Sequence, residues 1–372
     1  MQIAEFELER WQSHHEHEVD YNLAESGVHP LSAGDLVAGE EVDRLLRLPL
    51  VYAQTNGPVE LRERIAQRCG ASIGNILVTN GTIEANFIAA WWMLEPGDEI
   101  AYLTPNYLQI GGLAESFGVR VRPFSLREEL GWQPDPDELE RAVTPRTKAI
   151  VLLNPNNPTG VVLEPAAMDR IVELAGRVGA WLVVDEVYRG TEHDGRLTPS
   201  FWGRQERVMV TGSLSKAYGL PGLRIGWIVA PEGVVESLWS RKDYLSITAS
   251  TLSYELAKIA LDPANADLIL GRNRQRVIDN LAVLRSWVDS RRGRSLVSPT
   301  AAAMALLRYE HAIGSSELSA RIHRDRSVLV VPGRHFGLER CLRIGYGLPT
   351  DDLRGALRRI DETLDELELP AA

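Results

Sequence analysis

The chain has 372 residues, 44% of them hydrophobic, and a net charge of −11, which allows a large buried core and about two domains. Its charges are interspersed with no long basic run, arguing against a nucleic-acid partner, and its longest apolar run, 87–94, is too short to cross a bilayer. An anionic ligand group therefore has to be held by a local site.

Residues 1–10 are acidic and amphipathic, without the positive start and apolar stretch of a signal peptide, so a cytoplasmic location is expected. His14, His15 and His17 are mixed with Glu16 and Glu18 in what reads as a solvated surface helix, and no metal site is expected there. Residues 21–31 are expected to pack on a C-terminal domain. Cys69 and Cys341 match no metal-ligand spacing and read as ordinary thiols.

From about residue 72 to 230, short apolar strands alternate with amphipathic helices, the pattern of a parallel sheet covered on both faces. Strands are expected at 75–79, 99–103, 120–124, 149–153, 181–184, 208–211 and 225–229. Several run directly into polar clusters, and ligands of open α/β sheets bind at the carboxyl ends of strands. Helical periodicity then covers 234–261 and 264–291. Shorter strands follow at 303–308, 328–331 and 340–345, with a last helix over 350–367. The expected division is a large domain over 40–255 and a smaller α+β domain built from 1–39 with 256–372.

Three of the polar clusters carry chemistry by residue type. After the first strand of the alternating region, Gly81-Thr82-Ile83 opens a helix whose free amides and positive dipole end suit a phosphate, with the Thr82 hydroxyl as an additional donor. Trp181 to Asp185 is an apolar run ending in a carboxylate, followed by Tyr188. Ser213-Leu214-Ser215-Lys216 places an imine-forming amine beside two hydroxyls, and Arg224 lies eight residues on, ready to fork onto phosphate oxygens. Only four of the 40 basic residues are lysines (Lys148, Lys216, Lys242 and Lys258), so few amines compete for that role.

The Lys216–Arg224 stretch resembles the cofactor-lysine motif of fold-type-I pyridoxal 5′-phosphate (PLP) enzymes, the class I/II aminotransferase family. Asn154-Pro155-Asn156-Asn157-Pro158-Thr159-Gly160 resembles that family's Asn-Pro-x-Asn-Pro-Thr-Gly loop. The resemblance runs in family order from Tyr52 to Gly347. It implies an α/β fold with a mostly parallel seven-stranded sheet flanked by helices, a PLP cofactor, and Lys216 as Schiff-base lysine and general base. Asp185 would keep the ring nitrogen protonated, and Tyr188 and Asn157 would bond the ring's 3-hydroxyl. Tyr107 would stack on the ring, while Gly81, Thr82, Ile83, Ser213, Ser215 and Arg224 would hold the phosphate. Tyr52 would reach the phosphate of a neighbouring subunit, which implies a homodimer with shared sites. Arg343 would grip the substrate α-carboxylate.

The implied activity is transfer of an amino group between an amino acid and a 2-oxo acid. Two segments depart from the family pattern. Around Glu25, Ser26 and His29 the usual glycine-rich loop is replaced, and an acidic residue there suits a basic amino acid; Ala301 to Met304 replace a second rim motif. Residues 215–224 and 241–245 are also similar to the capreomycidine-synthase type of PLP enzyme, so elimination, replacement or ring closure is the second expectation. A DNA-binding module is not expected, because the roughly 50 residues before Tyr52 leave little room for one and are not basic.

Overall fold

A computed structural model describes residues 3–367. In chain order the main-sheet strands are β1 (Ile76–Thr79), β2 (Glu99–Thr104), β3 (Arg120–Arg127), β4 (Gln133–Pro134), β5 (Thr147–Leu153), β6 (Trp181–Asp185), β7 (Val208–Ser213) and β8 (Gly226–Val229). Across the sheet the order is β1-β8-β7-β6-β5-β2-β3-β4. Strand β8 runs antiparallel to both neighbours and β4 antiparallel to β3; the other six share one direction. All seven expected strands are present within three residues of their expected ends. The eighth, β4, has two residues and therefore no periodicity to read.

Alternate residues of the central strands are buried on opposite faces, as helices on both sides require. In β5, Ile150 and Leu152 join the core formed by helices Val59–Cys69, Pro165–Val178 and Thr251–Ala260. Ala149 and Val151 point the other way, into the core formed by helices Gly81–Met93, Gln109–Ser116 and Glu232–Lys242. Each large apolar side chain buried this way contributes about 1.5–3 kcal/mol. Helix Pro165–Val178 carries its punctuation in the sequence, a proline in the first turn and left-handed Gly179 just beyond its end.

A second, antiparallel sheet holds β9 (Arg294–Ser295), β10 (Met304–Tyr309), β11 (Val331–Pro332) and β12 (Cys341–Gly345) in the order β9-β10-β12-β11. It packs on Val277, Leu281 and Leu284 of helix Pro263–Asp289 and on Leu353, Leu357 and Ile360 of helix Thr350–Leu364. Helix Pro263–Asp289 begins in the main-sheet core, through Ala266 and Leu270, and ends in the second core.

Two expected elements are divided. The stretch 234–261 is two helices, Glu232–Lys242 and Thr251–Ala260. Lys242 is buried and its ammonium donates to the carbonyls of Thr55, at 2.8 Å, and Ile247, while Ile247 takes a left-handed φ of 59°. The stretch 328–331 is split between two sheets: Val328–Leu329 pairs in parallel with Tyr21–Asn22, and β11 starts at Val331. Both cysteines are free, and among the described residues no helix is long and apolar enough to cross a membrane.

Candidate active site

The carboxyl ends of β5, β6 and β7, with the turns that follow β1 and β2, open on one cavity of about 310 Å³. Arg224 reaches the same rim because β8 is antiparallel and starts where its neighbours end.

One end of the cavity is built for an anion. The Asn80 side chain does not cap helix Gly81–Met93, and although Glu84 accepts from the Asn80 amide at 2.6 Å, the buried Thr82 hydroxyl has no partner among the described residues. Free amides at a helix start attract a phosphate. Gly81 has φ of +78°, and a Cβ there would meet the Arg224 guanidinium at 2.5 Å; a Cβ on Gly226 would meet the Gly81 backbone at 2.4 Å. The two glycines thus let strand, helix start and arginine converge. Ser213 and Ser215 complete this end, the Ser213 hydroxyl accepting from the Ser215 amide at 3.1 Å.

At the floor, Asp185 accepts from the Asn86 amide group at 3.0 Å and the Val187 backbone amide at 3.0 Å. Asn86 is fixed in turn by the Thr211 hydroxyl at 2.8 Å. Burial pushes the Asp185 carboxyl up to about 6, although these donors pull it back. A cation beside it would restore its charge. Tyr107 lines the cavity and donates its hydroxyl to Glu9 at 2.6 Å; burial, followed by the Glu9 charge, pushes its phenol well above the ordinary range.

Across the cavity, Lys216 donates to Glu25 at 2.6 Å. Burial is the largest influence on both groups and works against their charges, but their mutual attraction outweighs it. The Glu25 carboxyl falls to about 2 and the Lys216 amine rises above its ordinary value. Because an amine captures an aldehyde only when unprotonated, Glu25→Gln should let Lys216 lose its proton at lower pH. The pH profile of PLP capture by cofactor-free protein is then expected to shift towards neutrality; an unmoved profile would show that the ion pair does not govern the amine.

Arg343 is 1% exposed. It donates to Asn157 Oδ1 at 3.0 Å and to the Ala24 carbonyl, while its Nε has no partner among the described residues. Asn157 donates to the Tyr188 hydroxyl at 3.3 Å, which donates to Ser26 at 2.8 Å. A buried guanidinium without a carboxylate partner is costly and points to a ligand carboxylate.

Of the residues singled out from sequence, Glu25, Ser26, Thr82, Ile83, Tyr107, Asn157, Asp185, Tyr188, Ser213, Ser215, Lys216, Arg224 and Arg343 all border this cavity. Gly81 adjoins it through Arg224. Tyr52 stands apart, 83% exposed. His29 is exposed, and Ala301 to Met304, read above as part of the substrate rim, are buried; Ala302 and Met304 pack behind Tyr188.

The sequence did not single out Asn86, or Glu9 and Gln12 of the N-terminal helix with Glu16 just beyond its end. Asn86 follows Gly81 by five residues on the same helix, a usable signal. The N-terminal helix, read above as a solvated surface element, forms a wall of the cavity.

These parts fit PLP. An uncapped helix start, an orphan hydroxyl and an arginine suit its phosphate; a buried carboxylate suits its ring nitrogen, and an amine its aldehyde. The pattern of the aminotransferase class I and II family matches residues 47–360. Capreomycidine synthase of Streptomyces vinaceus is 32% identical over 371 residues, covering 96% of this chain and 93% of its own. A PLP-dependent aminotransferase structure from Streptococcus suis aligns over 100% of both chains at 30% identity, with a TM-score of 0.94. The PLP-dependent cyclase OrfR aligns over 98% of both at 27% identity and 0.89. With this pattern and this fold, the chain belongs to the class I and II aminotransferase family and its cofactor is pyridoxal 5′-phosphate.

Proposed function

We propose that the protein is an aminotransferase moving an amino group between an amino acid and a 2-oxo acid. The observation that carries this reading is the convergence of Lys216, Asp185 and the buried Arg343 on one cavity. Bound there, PLP supplies an aldehyde that captures the amine and a protonated ring that draws electrons from Cα. Thr82, Ser213, Ser215, Arg224 and the amides of Gly81 to Ile83 hold the phosphate, and Tyr107 covers the ring. Asp185 holds the ring proton. Arg343 binds the α-carboxylate, and its two tethers stop the guanidinium from turning. Asn157 touches both Arg343 and Tyr188, so the carboxylate grip and the group facing the 3-hydroxyl are set by one side chain. Lys216 takes the Cα proton and returns it, with Glu25 keeping the resulting ammonium in place.

Ring closure or elimination is the second reading, favoured by the near full-length similarity to capreomycidine synthase and the fold of OrfR. The same residues generate the same carbanion for either outcome. Leu46, Leu50, Val51, Tyr52 and Tyr244 are 77–83% exposed except Val51 at 64%, an apolar surface that supports a homodimer in which Tyr52 serves the other subunit's phosphate.

The test incubates PLP-loaded protein with single amino acids, with and without a 2-oxo acid, over a range of protein concentrations. Acceptor-dependent amino transfer, with specific activity falling on dilution, is the expected outcome. Ammonia or a cyclised product without acceptor would replace the first reading by the second; dilution-independent activity would remove the shared site.

A further inference from the structure

The N-terminal helix (Glu7–His15) is docked by one stripe and faces the cavity with another. Leu8 is fully buried beside Leu329, Val331 and Phe336, and the Trp11 indole donates to the Val330 carbonyl at 2.9 Å. Glu9, Gln12 and Glu16 recur at spacings of three and four, so they share a face, and all three border the cavity that holds Lys216 and Arg343. Gln12 is pinned by donating to the Ala24 carbonyl at 3.0 Å, next to Glu25.

The charges of the cavity do not balance without a ligand side chain. On the reading above, Arg224 meets phosphate, Arg343 the α-carboxylate and Asp185 the ring nitrogen, while Lys216 is matched by Glu25. Glu9 and Glu16 remain. Glu9 accepts from the neutral Tyr107 hydroxyl, and the nearest basic group to Glu16 is the exposed His17 ring at 3.5 Å. Neither meets a lysine or arginine within ion-pair distance among the described residues, although the field of Glu9 reaches Arg343. The unpartnered Nε of Arg343 independently marks the cavity as built for a ligand and fixes its carboxylate end. The helix wall is left for the side chain.

We propose that Glu9 and Glu16 form a subsite for the cationic side chain of a basic amino acid, a guanidinium or ammonium group. This deepens the amino-acid reading and rests on it. A neutral or acidic side chain would leave both carboxylates on that wall without a counter-charge.

The test titrates PLP-loaded protein with L-arginine and L-lysine, their neutral counterparts L-citrulline and L-norleucine, and L-glutamate, following cofactor absorbance to obtain Kd. At least one cationic amino acid is expected to bind about tenfold or more tighter than its neutral counterpart. In the Glu9→Gln/Glu16→Gln double variant that ratio should collapse towards one, with citrulline and norleucine affinities unchanged; their retained binding also certifies that the variant is folded. Equal binding of charged and neutral partners by the parent protein, a preference for glutamate, or a ratio that survives the double substitution would each overturn the subsite while leaving the amino-acid reading intact. No absorbance change with any amino acid would overturn both.

Discussion

Lys216→Ala is expected to lower turnover by at least about 10³–10⁴-fold, since on the proposed function it removes both the covalent anchor and the base. The other lysines offer no substitute. Lys242 is committed to the Thr55 and Ile247 carbonyls, Lys148 lies 3.7 Å from Asp98, and Lys258 is 2.6 Å from Glu255. The phosphate cradle is untouched by the substitution, so PLP should still bind, but reversibly. Borohydride reduction followed by peptide mass analysis should attach the cofactor to Lys216 in the parent protein and to nothing in the variant. Near-normal turnover, or a label on another lysine, would remove Lys216 from its role.

Asp185→Asn is the second large effect. Losing one partner of a buried charge pair costs about 2–5 kcal/mol, so kcat/KM should fall by about 30- to 4,000-fold. Asparagine is also a poor replacement locally. Both carboxylate oxygens accept hydrogen bonds, from Asn86 and Val187, so an asparagine amide nitrogen turned towards Asn86 would meet a donor unless Asn86 reversed its own amide towards the Thr211 hydroxyl.

The pH dependence follows from the same group. Its carboxyl is raised to about 6 in the cofactor-free protein. Between the ordinary aspartate value and 6, the folded form binds the extra proton, so stability from this group is full at the acid end and lost as pH rises through 6, by about 3 kcal/mol. Cofactor binding has the opposite sign, because a protonated ring nitrogen needs the ionised carboxylate. PLP affinity should therefore decline as pH falls below about 6 in the parent protein, and this limb should vanish in Asp185→Asn. Superimposable affinity profiles from pH 5 to 8 would refute the pairing.

Much of the fold was legible because its strands are apolar runs punctuated by polar clusters, and the cofactor side of the cavity is assembled from those clusters. Asp185, Lys216 and Asn157 sit at or just beyond strand ends, where local sequence carries the signal. What escaped depends on distant contacts. Helical periodicity continues through 243–250, and only the buried Lys242 ammonium, reaching across to Thr55, reveals the break. Nothing in 301–304 signals that Ala302 and Met304 pack in one buried cluster with Tyr188. Glu9, Gln12 and Glu16 look like any acidic amphipathic surface; their orientation is set by Leu8 and Trp11 docking on residues more than 300 positions away.

That separation gives the site a schedule. Trp11 bonds Val330, and Arg343 bonds Ala24, each across 319 residues. At a synthesis rate of ~5–20 residues per second, roughly 15–60 s pass between the emergence of the first helix and of its partners. In the last third of that interval, once residues up to 229 have emerged, the Lys216 loop and the phosphate cradle can take shape, while Leu8, Trp11 and Leu23 still wait uncovered. A growing chain can thus acquire the means to hold its cofactor before it can close around an amino acid, because the helix wall and Arg343 are tied down only when residues 330–343 have emerged.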